Sequence, residues 1–219
     1  MDRKSKARDI NNILQETSSQ RILLEEYRAL NADYLNLRSE GVSRVNFFVT
    51  AMSVVLGGVL VIASSNSKLP VLYFKLILLT AALILATIGL EIYSYLIQRA
   101  ISSDHLMRGL ARIRNYFVKL DPQIRNYFVT KIYDTPTASL THKHSGLRRT
   151  TQIIEGFFVG LIFTVSSTFF PFSETVILGL GVGVTAITIL WLEINAHRRL
   201  NKAFKSAEAE MKFNDDLNE

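Results

Sequence analysis

The chain has 219 residues, 48% of them hydrophobic, with 25 Lys and Arg against 19 Asp and Glu for a net charge of +6. That length suits one compact helical unit and leaves little chain for a second large domain. Cysteine is absent, which excludes disulfides and thiolate metal sites. The sequence also holds no P-loop, no G-x-G-x-x-G, no Ser-His-Asp order and no H-E-x-x-H, so the common nucleotide, triad and zinc-protease chemistries have no foothold.

Residues 1–44 read as a cytoplasmic helix. Arg3, Lys4, Lys6 and Arg8 make its start basic, and this extreme end is expected to be disordered. Leu23, Tyr27, Leu30, Tyr34 and Leu37 follow at four- and three-residue steps, the a/d spacing of a coiled-coil seam. The seam spans barely two heptads. It can pack on a cytoplasmic helix of the same chain or on a second copy.

Residues 45–97 contain two apolar stretches, Val45–Ser64 and Val71–Ile97. Each approaches the ~20 residues a helix needs to cross ~30 Å of hydrocarbon. Neither shows the polar stripe of a soluble core helix. Gly57 and Gly58 sit at mid-depth of the first, and Phe47 and Phe48 stand where an interfacial aromatic belt belongs. Lys75, one turn inside the outer end of the second, is placed to snorkel to headgroups. No cleavable signal peptide is expected, because the first apolar stretch begins so far in and is as long as a span.

Residues 98–152 form a basic cytoplasmic segment. Ten Lys and Arg face three acids there, a net of +7, whereas the turns at 65–70 and 173–175 hold one Lys and one Glu. Lys and Arg near span ends stay cytoplasmic, so both termini and this segment are expected on that side. The second stretch should continue as a helix to about Phe117, break at Asp121-Pro122, and resume as a short helix to about Tyr133. Thr135–Gly146 reads as a loop. The sequence RNYFV occurs twice, at Arg114–Val118 and Arg125–Val129. Arg108, Arg112, Arg114 and Arg125 beside these aromatics suit anionic lipid or, less readily, nucleic acid.

Residues 153–194 hold the other two stretches, Ile153–Phe172 and Val176–Ile194. Gly156 with Gly160, and Gly179 with Gly183, are small-xxx-small pairs that let helix backbones approach closely. They fall at opposite depths of antiparallel helices, so each pair should face a different helix. Residues 195–219 should extend the fourth span as a charged helix ending in an acidic tail. The fold class expected is therefore all-α and polytopic: four transmembrane helices in two hairpins with cytoplasmic helical extensions. The hairpins resemble an internal repeat. Phe47-Phe48-Val49 and Phe157-Phe158-Val159 open the first and third spans, and Leu90-Glu91-Ile92 and Leu192-Glu193-Ile194 close the second and fourth.

Glu91, Glu155 and Glu193 are the intramembrane polar candidates, all near cytoplasmic span ends at similar depth. A ring of such carboxylates would attract cations, and interfacial pairing with Arg99, Arg148 or Arg198 is the plainer use. Arg99 and His105 fit the loose R-x(4–6)-H spacing of HEPN-type ribonucleases, in which Arg binds a phosphate and His moves a proton. A helical Arg–His pair also arises by chance, and Ala100 stands where a polar residue is usual. His142 and His144 have no nearby carboxylates to complete a metal cage. No cofactor and no metal are expected, and no enzyme activity.

Glu26-Tyr27, Asn46-Phe47-Phe48 and the hairpin to Tyr95 resemble small bacterial membrane proteins of the SLATT type and related four-span effectors of prokaryotic defence. The resemblance covers roughly the first half. It implies a membrane-perturbing, pore-forming effector of the bacterial inner membrane that self-associates and stays silent until a partner senses infection. The alternative is a membrane anchor whose cytoplasmic helices hold a soluble protein.

Overall fold

The computed structural model describes residues 3–64, 70–136, 140 and 146–216, with side chains described only between 19 and 211. Four helices account for most of them: α1 Arg3–Ser64, α2 Val71–Leu120, α3 Gly146–Ser167 and α4 Glu174–Asp216. All four are long and apolar enough to cross a membrane, and no strand occurs among the described residues. Apolar stretches of this length form helices because only a helix satisfies every backbone group within one segment.

Breaks fall where proline and its neighbours demand them. Pro70 precedes α2, and its carbonyl accepts from the amides of Tyr73 (2.9 Å) and Phe74 (3.4 Å), so the helix starts without a side-chain cap. Asp121 is extended (φ −138°, ψ 100°), as the residue before proline prefers. Its Oδ1 accepts from the Gln123 amide at 3.0 Å and opens a 3-10 turn over Pro122–Tyr127. That turn replaces the short helix expected to Tyr133. The two RNYFV copies consequently differ: the first lies in α2, while the second leaves the turn with Tyr127 and Val129 exposed.

Two further expectations change. The chain is helical from Arg3, so the basic start is continuous with α1. The third apolar stretch stops being helical at Ser167, five residues before Phe172. Amides of Thr168, Phe169 and Phe170 bond three residues back, tightening the last turn ahead of Pro171. A 22-residue helix ending there must use residues well before Ile153 to reach ~30 Å.

The helices form a row in chain order, α1 on α2, α2 on α3 and α3 on α4, and α1 makes no contact with α4 among the described residues. The row is pinned in two places. Val45, Phe48, Ala82, Leu85, Ala86 and Phe158 join α1, α2 and α3. Tyr93, Ile97, Leu192, Ala196 and Leu200 join α2 to α4, with Leu140 packed against them. Tyr93 also donates to the Leu192 carbonyl at 2.5 Å. Large apolar side chains on the edges, Val54 and Leu60 on α1 with Val182 and Ile187 on α4, are 67–72% exposed. Of the two residues expected in an aromatic belt, Phe47 is exposed, and Phe48 is buried in the core.

Candidate functional site

The third helix carries the polar interior. Arg148, Thr151, Gln152 and Glu155 are all buried, and their three- and four-residue spacing sets them along one side of α3. Thr151 donates to the Leu147 carbonyl (3.0 Å). Gln152 Nε2 crosses to α4 and donates to the Ile189 carbonyl (2.7 Å), while its Oε1 accepts nothing among the described residues. Glu155 turns the other way, toward Gly89 of α2 and Phe48 of α1. It is fully buried, and neither of its oxygens has a hydrogen-bond partner among the described residues.

The three glutamates do not converge. Glu91 is exposed on α2. Glu193 is half-buried on α4 and lines a cavity of about 260 Å³ with Arg148, His197, Asn201 and Leu140. Glu155 also lies deeper than the sequence suggested, since it faces Gly89, eight residues inside the end of its apolar stretch at Ile97. No carboxylate ring exists within one chain. Lys75, the residue placed to snorkel, points its Nζ at the end of α3, where it donates to the Thr168 carbonyl (3.4 Å). There it sits 5.6 Å from the Phe169 ring, at the carbonyl-rich end of α3 that favours a cation.

The basic segment is largely committed inside the chain. Arg108, 3% exposed, donates to Asp134 (2.6 Å) and Glu210 (3.1 Å), and Arg112 shares Asp134 (2.5 Å). Arg114, 5% exposed, donates to the Tyr27 hydroxyl (3.2 Å) and the Lys131 carbonyl (3.3 Å). Arg108 and Arg114 therefore do not present themselves to lipid or nucleic acid, a correction to the sequence reading, and Arg125 alone of the four is exposed without an ion pair among the described residues. Arg99 lies over Gly41, where a Cβ would meet its guanidinium carbon at 2.6 Å. His105 is exposed and lines a groove with Asp33, Asn36 and Leu37. His142 and His144 lie outside the described residues, and no group of three His, Cys, Asp or Glu among those described could hold a metal ion.

Leu23, Tyr27, Leu30, Tyr34 and Leu37 are half-buried. The seam packs on α2, with Leu30 3.2 Å from where a Gly109 Cβ would stand and Tyr27 under Arg114. Below it, Arg44 donates to Glu40 (2.6 Å) and stacks 4.1 Å over Tyr95. The Arg44 hydrogen bond holds the Glu40 carboxyl below the usual carboxylate range.

The glycines divide in an unexpected way. Gly156 and Gly160 press on α4, where a Gly156 Cβ would lie 3.2 Å from the Thr185 carbonyl and a Gly160 Cβ 2.8 Å from the Gly181 carbonyl. Their counterpart on α4 is Gly181, which the sequence reading passed over. Gly179 and Gly183, like Gly57 and Gly58, face open space. No protein-family model matches this sequence, and neither does any curated protein or solved structure.

Proposed function

We propose that the chain is a non-enzymatic, self-associating membrane protein that forms a pore or otherwise perturbs the bacterial inner membrane. Its four apolar helices span the bilayer as two hairpins, with both termini and the basic segment cytoplasmic. One observation carries this reading: the row of helices has two unpartnered edges, and each bears an open glycine pair. Gly57 and Gly58 stand about 18–20 Å from the inner end of the first span, and Gly183 and Gly179 about 16–22 Å from the inner end of the fourth. The edges match in depth and run antiparallel. Joining α1 of one copy to α4 of the next is a head-to-tail contact, which closes into a ring when the rotation allows. A ring built this way would place any water path between copies, in keeping with the apolar surface of a single chain.

The test is crosslinking and flux in liposomes. Wild-type protein should give a ladder of several subunits and dissipate an ion gradient, and Gly58→Ile or Gly183→Ile should reduce both by holding the edges several ångströms apart. A ladder unchanged in both variants sinks the edge contact. For topology, a cysteine at Ser173 should react with an impermeant thiol reagent from outside, and one at Ser139 should not.

A second reading, an anchor for a soluble protein partner, draws on exposed Ile22, Tyr127 and Val129 in the cytoplasmic part. Wild-type liposomes that stay tight while the protein retains a cytosolic partner would favour it.

A further inference from the structure

Glu155 stands alone in this fold. It is fully buried, yet both carboxyl oxygens lack a hydrogen-bond partner among the described residues. The space for it is built in. A Cβ on Gly89 would collide with Oε2 and stand 3.1 Å from both the carboxyl carbon and the tip of the Phe48 ring. Any other residue at position 89 would push the carboxyl out. Gly89 is thus fitted to this side chain.

Its depth follows from two neighbours and from the end of its own helix. Gly89 is eight residues inside the inner end of the second span, about 12 Å. Ile189, bonded to Gln152 one turn from Glu155, is five residues inside the fourth, about 8 Å. Helix α3 ends at Ser167 and needs ~20 residues to cross, which also sets Glu155 roughly two turns in.

Among the described residues, no charged side chain reaches it. On α1, Arg44 is engaged by Glu40 and Tyr95. On α2, Glu91 is exposed on the outer surface. On α3, Arg148 lines the cavity shared with Glu193 and His197 of α4. A carboxylate at this place would face a glycine, a phenyl ring and no donor among the described residues. Burying such an ion costs far more than burying the neutral acid, which carries its own O–H donor.

We propose that Glu155 is an exchangeable-proton site whose state sets how closely α2 packs on α3. With the proton bound, the carboxyl fits against Gly89. When the O–H bond breaks and water takes the proton, the anion must draw in water, and the two helices separate at this level. The sign follows: the closed packing is present at lower pH and is lost as pH rises through the titration of Glu155. The inference needs the helices to lie in a membrane or detergent, as proposed above, but it does not need the protein to conduct.

The test uses the full chain in detergent and dicyclohexylcarbodiimide, an apolar reagent. It adds to a protonated carboxyl and rearranges to a stable N-acylurea, with no leaving group. The peptide containing Glu155 should gain the mass of the whole reagent, and Glu155→Gln should abolish that gain. The yield should fall about tenfold for each pH unit beyond its midpoint. Yield at Glu155 that ignores pH, or adducts at Glu91 and Glu193 with none at Glu155, overturns the proposal. Independently, the thermal midpoint of the wild type should fall as pH rises while that of Glu155→Gln stays level; parallel curves also overturn it. If Glu155→Gln does not fold, the wild-type labelling still decides. Absence of ion flux would leave both readouts intact, whereas a chain that stays dispersed without detergent would remove the membrane reading itself.

Discussion

The two helix pairs look alike in sequence and are built differently. Where α3 meets α4, glycines on both sides bring backbone to backbone: Gly156 and Gly160 against Gly181 and Thr185. Where α1 meets α2, side chains do the packing. Val45 and Phe48 share one apolar cluster with Ile92 and Leu96 near the Ile97 end and with Ala82, Leu85 and Ala86 further along α2. Further out, Val55, Tyr73, Leu76 and Ile77 line an open apolar groove. In lipid the hydrophobic effect does not drive helices together, so close van der Waals contact decides which pair is firm. The α3–α4 pair is the closely packed half, and α1 is held on the row around Val45 and Phe48 and by the Leu23–Leu37 seam. The shared motifs confirm the asymmetry. Phe47 and Phe157 point out while Phe48 and Phe158 point in, but Leu90 is exposed where Leu192 is buried. The resemblance between the two helix pairs holds at one end only.

The sharpest way to break that difference is to place a bulky residue on each half. Gly160→Ile must push against the Gly181 backbone, which cannot yield, and should destabilise the fold by about 3 kcal/mol or more. Gly183→Ile and Gly58→Ile, where an added Cβ meets nothing within 4 Å, should each change fold stability by less than about 0.5 kcal/mol. Thermal unfolding in detergent checks this. Equal losses in all three variants would mean that α1 is held as tightly as α3.

Smaller effects test the polar ties between helices. Arg108→Ala leaves Asp134 with Arg112 alone and Glu210 with no ion pair among the described residues. A cost of roughly 2 kcal/mol is expected, below the full price of a wholly buried pair because Glu210 is half exposed. Hydrogen exchange should show it as lost protection in the α4 extension with the apolar segments unchanged. Tyr93→Phe removes the bond to the Leu192 carbonyl and should cost about 1 kcal/mol, read as a small fall in thermal midpoint.

Four helices, their approximate limits and the continuity of α4 beyond Ile194 were legible because length and uninterrupted hydropathy are local properties. Which face of a helix meets which neighbour was not. In G-L-G-V-G at 179–183, the outer two glycines form the familiar four-residue pair, yet Gly181 faces α3 because buried Ile177 and Gly181 continue into half-buried Thr185 and Ile189 as one stripe. Only the partner helix reveals that phase. Glu155 could be noticed in the sequence but not placed, since its depth depends on where Pro171 stops α3. Gly89 had no signal at all without the carboxyl opposite. Arg108 and Arg114 read as surface charge because their partners, Glu210 and Tyr27, are 102 and 87 residues away.

The smallest effect belongs to the looser half. Among the described ion pairs, Glu25–Arg28 and Glu40–Arg44 on α1 are exposed, and exposed pairs contribute little. Glu40 still leaves a signature in pH. Its carboxyl is held below the ordinary range by the Arg44 hydrogen bond, so the folded state binds that proton less readily than the unfolded chain. Such a group contributes stability above its unfolded value, and the contribution disappears as pH falls through the folded one. Between about pH 5 and pH 3, wild-type stability should therefore decline slightly more than that of Glu40→Gln, and the two should run parallel above pH ~6. Thermal midpoints across that interval measure it. An identical acid limb in both proteins would show that Arg44 is positioned by the Tyr95 ring rather than by Glu40, which would leave the inner end of α1 held by stacking and apolar packing alone.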